Sequence, residues 1–342
     1  MESTGVCRFV LDGVSRLNYP SRMRRVFLTL VVLLCVARPS TADEPVVVVA
    51  NLAFHSAFWP NLHHVLYGAA WARRPKTGAR RLMPDEPAPS TEILSADERA
   101  AWDAAVDYYD RNLADRDLLT GMGMERIKTA LAAEDLASDA VGPALRAVLE
   151  RVAPIYRQRY WTAHDRSNRE WIQSTVDRLR TIEKEIVSAQ SRMYGRDWFT
   201  APVRVDIVWM GRAYTSLFPT HSTVSPAEGP LTGWTGVEMV LHEVSHELIL
   251  PIQQELAKAF GDRWKQHGVL WHVVQFYMTG LALERILAAR GIEYRKFLDS
   301  EGLFDRAWPQ YRKPIEDSWA PYVRGEITRA EAVARTVAAV TP

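Results

Sequence analysis

The sequence predicts an α+β protein, predominantly helical, with a small sheet flanking one helix that carries a close pair of histidines. Three observations point there. Amphipathic stretches fill most of 95–194, short β-branched or alternating runs occur at Val46–Ala50 and Pro202–Met210, and apolar positions around 237–248 recur at helical spacing. With 342 residues, 47% hydrophobic and 24% charged, the chain can bury one large core or two smaller ones. The formal net charge is +1 and neither sign gathers in a long block, so no basic stripe for nucleic acid is expected. Twelve tryptophans and 10% aromatic residues argue for a packed body rather than a disordered one.

The first 42 residues read as an upstream extension plus a secretory signal. Arg22, Arg24 and Arg25 precede the apolar run Val26–Ala37, and Ser40 and Ala42 hold the small positions of a cleavage site. Cleavage is expected after Ala42, which makes the mature protein secreted or periplasmic. The run is shorter than the ~20 apolar residues of a bilayer span. No stable membrane span is expected after cleavage. Met23 is a second possible start. Both cysteines, Cys7 and Cys35, precede the cut, so the mature chain has no thiolate and no disulfide.

Residues 43–342 read as a single unit. Val46–Ala50 is expected to be a buried strand, and 60–73 a helix with Pro60 in its first turn. His63 and His64 are adjacent and point to different faces, one core and one surface. Residues 74–95 are rich in Pro, Arg and Ser and read as an exposed loop. Ser95 is a good N-cap, with acidic residues in the turn that follows. Helical stretches continue at 122–134, 138–162 and 166–192, a scaffold expected to shape one wall of a cleft. Val203, Val205, Ile207 and Trp209 alternate as in a half-buried strand, and THSTVSP reads as a possible second one.

The chemistry lies in Leu241-His242-Glu243-Val244-Ser245-His246-Glu247. Residues four apart share a helix face, so the imidazoles of His242 and His246 can reach one cation. Neutral imidazole suits Zn²⁺, and two such ligands plus a third leave a position for water. The metal lowers the pKa of that water to about 7. Glu243 then takes the proton as general base and passes it to the leaving group. Val237, Val240, Leu241, Val244 and Leu248 give the segment a buried face, and Pro251 is expected to end or kink the helix.

These residues resemble the zincin superfamily of metallopeptidases, on the HEVSH segment and the strand and loop before it. The resemblance implies His242 and His246 as zinc ligands, Glu243 as base, peptide-bond hydrolysis, and Val203–Trp209 as the strand beside the substrate cleft. Metzincins extend the motif with Gly and a third His, where this chain has Ile249 and Ile252. Gluzincins take a Glu from a second helix, but residues 266–271 read QHGVLW, without a carboxylate.

His272 is the leading third ligand. Leu270, Val273, Val274, Phe276, Tyr277 and Leu281 make its helix apolar nearly all round, and a buried imidazole needs a partner that a metal would supply. Glu284 is the alternative, set against an ion pair with Arg285 or Arg290, and His267 is a third possibility. Gln275 is a candidate for orienting the ligand or the water, and Tyr277, Tyr214 or His267 for the oxyanion donor. Residues 294–342 read as short helices that cap or support the site. The expected function is a secreted zinc hydrolase acting on peptide or protein substrates. The alternatives are a non-catalytic zinc scaffold or binding protein, and a membrane-anchored helical protein whose motif is accidental.

Overall fold

The computed structural model describes residues 44–74, 89–116, 118, 122–217, 220–227, 229 and 231–340, and the signal, both cysteines and the cleavage site lie outside them. Two strands open the described chain, β1 (Val47–Val49) and β2 (Leu52–His55), joined by Ala50 and Asn51 at φ 51° and 53°. That pair of positive φ values makes a two-residue hairpin whose twist matches the strands. The expected buried valine strand is therefore an edge strand, with Val48 46% exposed, and the fully buried one is β2.

Helix α1 (Phe58–Ala72) carries Pro60 in its first turn. It buries both His63 and His64, which corrects the expectation of one core and one surface histidine. Helix α2 (Ala96–Asn112) starts on a full capping box between Ser95 and Glu98. Helices α3 (Met122–Ala132) and α4 (Gly142–Tyr156) follow, then a π turn (Arg157–Trp161) next to Pro154, whose ring removes a ladder donor. The chain runs straight on into α5 (Thr162–Tyr194), which Gly195 ends at φ 62°. Helices α1 to α4 build one hydrophobic core, with Trp102, Tyr109, Leu149 and Tyr156 at its centre.

Strands β3 (Val203–Ile207), β4 (Tyr214–Leu217) and β5 (Thr220–Val224) complete a five-stranded mixed sheet in the order β1-β2-β3-β5-β4. The two outer pairings are antiparallel and the two inner ones parallel. Period-2 alternation sorts the side chains. Leu52, Phe54, Val203, Val205, Ile207 and Val224 enter a second core with α5 and the helices that follow. The alternate positions carry Asp206 and His221, joined to each other and, through Asp206, to Arg204.

After the sheet come α6 (Trp234–Val244), α7 (Leu250–Phe260), the single-turn α8 (Trp264–His267) and α9 (Leu270–Ala288). Short α10 (Phe297–Ser300) and α11 (Leu303–Ala307) lead to α12 (Arg312–Arg324) and α13 (Arg329–Val340). The architecture is α+β and mainly helical. Residues Pro45–Pro342 form one compact unit, and among the described residues no helix is long and apolar enough to cross a membrane.

Candidate metal centre

Helix α6 is apolar on the face that meets the core, and its last turn brings in His242 and Glu243. The helix ends at Val244, earlier than Pro251 suggested. The Ser245 N–H reaches both Leu241 O (3.1 Å) and His242 O (3.2 Å), and the His246 N–H bonds Glu243 O at 3.2 Å. This tightening to an i→i−3 pattern carries His246 just beyond the regular helix. Pro251 instead opens α7, where a missing N–H costs nothing.

The early end leaves carbonyls to satisfy, and two side chains, one braced by a third, satisfy His242 O. The Ser245 hydroxyl donates to His242 O at 2.8 Å, and the Gln275 amide donates to the same carbonyl at 2.7 Å and to Ser245 Oγ at 2.9 Å. Tyr194 of α5 adds its hydroxyl to Ser245 Oγ at 3.3 Å. Gln275 thus fixes the backbone under His242 rather than its ring.

Three imidazoles meet in front of this support. His272, in the first turn of α9, places Nε2 3.0 Å from His242 Nε2. The ring centroids form a nearly equilateral triangle: 5.0 Å for His242 to His246, 5.0 Å for His242 to His272, and 5.2 Å for His246 to His272. One ligand nitrogen from each lies within 4.8 Å of the others, the one such group among the described residues. Tetrahedral zinc with Zn–N near 2.0–2.1 Å needs nitrogens about 3.3–3.4 Å apart, and the His242–His272 pair, at 3.0 Å, is within a few tenths of an ångström of that spacing. His246 turns Nδ1 to Glu243 O (3.0 Å), which leaves Nε2 for an ion.

Burial disfavours the charged form of all three rings. His246 is lowered to about 4 and His272 to about 3, the latter also by its neighbour His246. His242 falls well below the usual value through burial and then through the other two histidines. Burial thus favours the neutral ring in each case, the form that ligates a metal.

Glu243 lies beside this cluster, its Oε2 3.6 Å from His246 Nδ1. Thr215 of β4 holds it, with Oγ1 2.9 Å from Glu243 Oε2, 2.7 Å from Glu243 O and 3.0 Å from Ser222 Oγ. The strand beside the site is therefore the edge strand β4, and not Val203–Trp209 as the resemblance implies. Val203–Ile207 is the middle of the sheet, and Trp209 lies outside it, its N–H bonded to Asn61.

The remaining candidates lie elsewhere. Glu284 meets Lys296, with Oε2 3.7 Å from Nζ, and not the arginines expected. His267 bonds Tyr311 at 3.1 Å. Tyr277 packs on Phe304, and Tyr214 points from the opposite face of β4 to Lys128 and His64. Thr215 and Ser222 were missed because isolated hydroxyl residues carry no spacing signal. Only the pairing of β4 with β5 brings them under Glu243. No family model, curated protein or solved structure matches this chain.

Proposed function

We propose that this chain is a zinc-dependent hydrolase that cleaves peptide bonds, with His242, His246 and His272 as ligands and Glu243 as general base. The observation that carries this is the convergence of three imidazoles with a buried carboxylate at their side. A zinc ion held there would polarise the substrate carbonyl and lower the pKa of a water to about 7. Glu243 would take the proton as the water oxygen bonds to the carbonyl carbon, then give it to the nitrogen as the C–N bond breaks. Thr215 would keep the carboxylate aimed, and Gln275, Ser245 and Tyr194 would hold the helix end that carries His242.

Access favours a reacting site over a sealed structural one. His246 keeps 15% of its side chain exposed, and His272 is half-buried. On the same reading, residues 1–42 direct export and are removed after Ala42. Glu243→Ala is expected to keep bound zinc and lose all hydrolysis of a broad peptide library. Unchanged activity refutes the mechanism, and zinc-loaded wild type without any hydrolysis means a non-catalytic scaffold.

A further inference from the structure

The three imidazoles stand inside an aromatic wall. Phe276 stacks on His242 at 3.6 Å and 18°, and Phe297 lies nearly parallel behind it at 6.1 Å. Trp271 meets His246 edge-on at 5.8 Å and lies 5.1 Å from His272. Trp308, from the turn after α11, is 6.3 Å from His272 and 6.1 Å from Phe276. Phe276 is buried, but Trp271, Phe297 and Trp308 are half-buried, like His246 and His272. Part of each of these residues therefore stays accessible to solvent around the histidine cluster. Val269, at the N-cap of α9, is one of three large apolar side chains that are exposed among the described residues, at 39%.

Three cations close in sequence to this wall are engaged elsewhere. Lys296 turns to Asp299 and Glu284, Arg306 donates to Glu301 O at 3.1 Å, and Arg312 pairs with Asp305 at 2.8 Å. Half-buried aromatic rings beside a reactive centre gain most from a partner that removes their remaining apolar surface from water.

We propose that Trp271, Phe297 and Trp308 form a subsite for a bulky apolar side chain of the substrate, of the phenylalanine or leucine class, next to the cleaved bond. This specificity rests on the hydrolase reading above. Trp308 is the discriminating residue. Its backbone N–H is tied to Leu303 O and Phe304 O, which fixes the point from which the half-buried side chain departs.

The test is calorimetric binding to the full-chain Glu243→Ala protein, in which turnover is removed. Its probes are acetyl-Ala-Phe-Leu-Ala-amide and acetyl-Ala-Ser-Gln-Ala-amide. The apolar peptide is expected to bind about tenfold or more tighter, the worth of burying one large apolar group against aromatic rings. Adding Trp308→Ala should erase the difference with zinc content unchanged, and Trp308→Phe should keep most of it. Equal affinities in the Glu243→Ala protein overturn the proposal. So does a Trp308→Ala protein that loses zinc while keeping the preference, since the ring then only supports His272. Wild type that prefers the apolar peptide but cleaves neither leaves the subsite standing and removes the hydrolase reading. Cleavage without preference does the reverse.

Discussion

Glu238 gives the packing behind the site a measurable pH signature. It lies on α6 one turn before His242, 1% exposed, at the seam with α9. Its Oε2 accepts the Tyr294 hydroxyl at 2.5 Å and the Phe297 N–H at 3.0 Å, while Oε1 has no hydrogen-bond partner. Burial raises its pKa from 4.5 to about 7; the two donors and Lys296 oppose the rise, and Glu284 adds to it. Asp299, paired with Lys296, completes the charged surroundings. A folded pKa above the unfolded one means that the fold favours the protonated acid. That contribution is fully present below about pH 4.5 and is lost as the pH rises through about 7. The full shift corresponds to about 3 kcal/mol at most. Glu238→Gln keeps the shape and an acceptor oxygen for both donors but cannot ionise. Urea unfolding at pH 5 and pH 8.5 should therefore show the variant gaining on wild type by about 1–3 kcal/mol between the two. A difference independent of pH, or one that moves towards wild type as the pH rises, refutes the reasoning.

Two further substitutions probe the same framework. An alanine at Gly280 would put Cβ 2.6 Å from both Lys296 Cβ and Glu238 Oε1. The helix-propensity gain of about 1 kcal/mol should then be outweighed by about 1–3 kcal/mol of overpacking. Gly280→Ala is expected to lower the thermal midpoint, and a rise contradicts the close approach of α9 to α6. Thr215→Val removes the hydroxyl that holds Glu243 but keeps the shape of the side chain. A hydrogen bond to a carboxylate contributes about 1.5–3 kcal/mol, so turnover of a cleaved peptide should fall about tenfold or more at constant zinc content. Unchanged turnover removes Thr215 from the positioning role.

How much of this was legible in the sequence depended on the range of the interaction. His242 and His246 announce themselves because four-residue spacing on an apolar helix is local information. His272 was legible because an imidazole on an almost wholly apolar helix needs a partner. The N-cap at Ser95 and the strands at 203–207 and 220–224 follow from equally local patterns. What failed was set by tertiary context. Nothing local says that α6 ends at Val244, because Gln275 and Ser245 supply what the broken ladder leaves unbonded. Strand β4 carries no alternating apolar run, and its pairing with β5 defines it. The burial of both His63 and His64 follows from α1 being covered on two sides, with Tyr109 of α2 taking His63 at 2.9 Å and Tyr214 of β4 stacking on His64.

The most direct test is elemental analysis of the purified protein beside His272→Ala and Glu284→Ala. Wild type and Glu284→Ala are expected to hold stoichiometric zinc and His272→Ala to lose it. Wild type without stoichiometric metal, or a His272→Ala protein that retains all of it, contradicts a centre built from these three histidines.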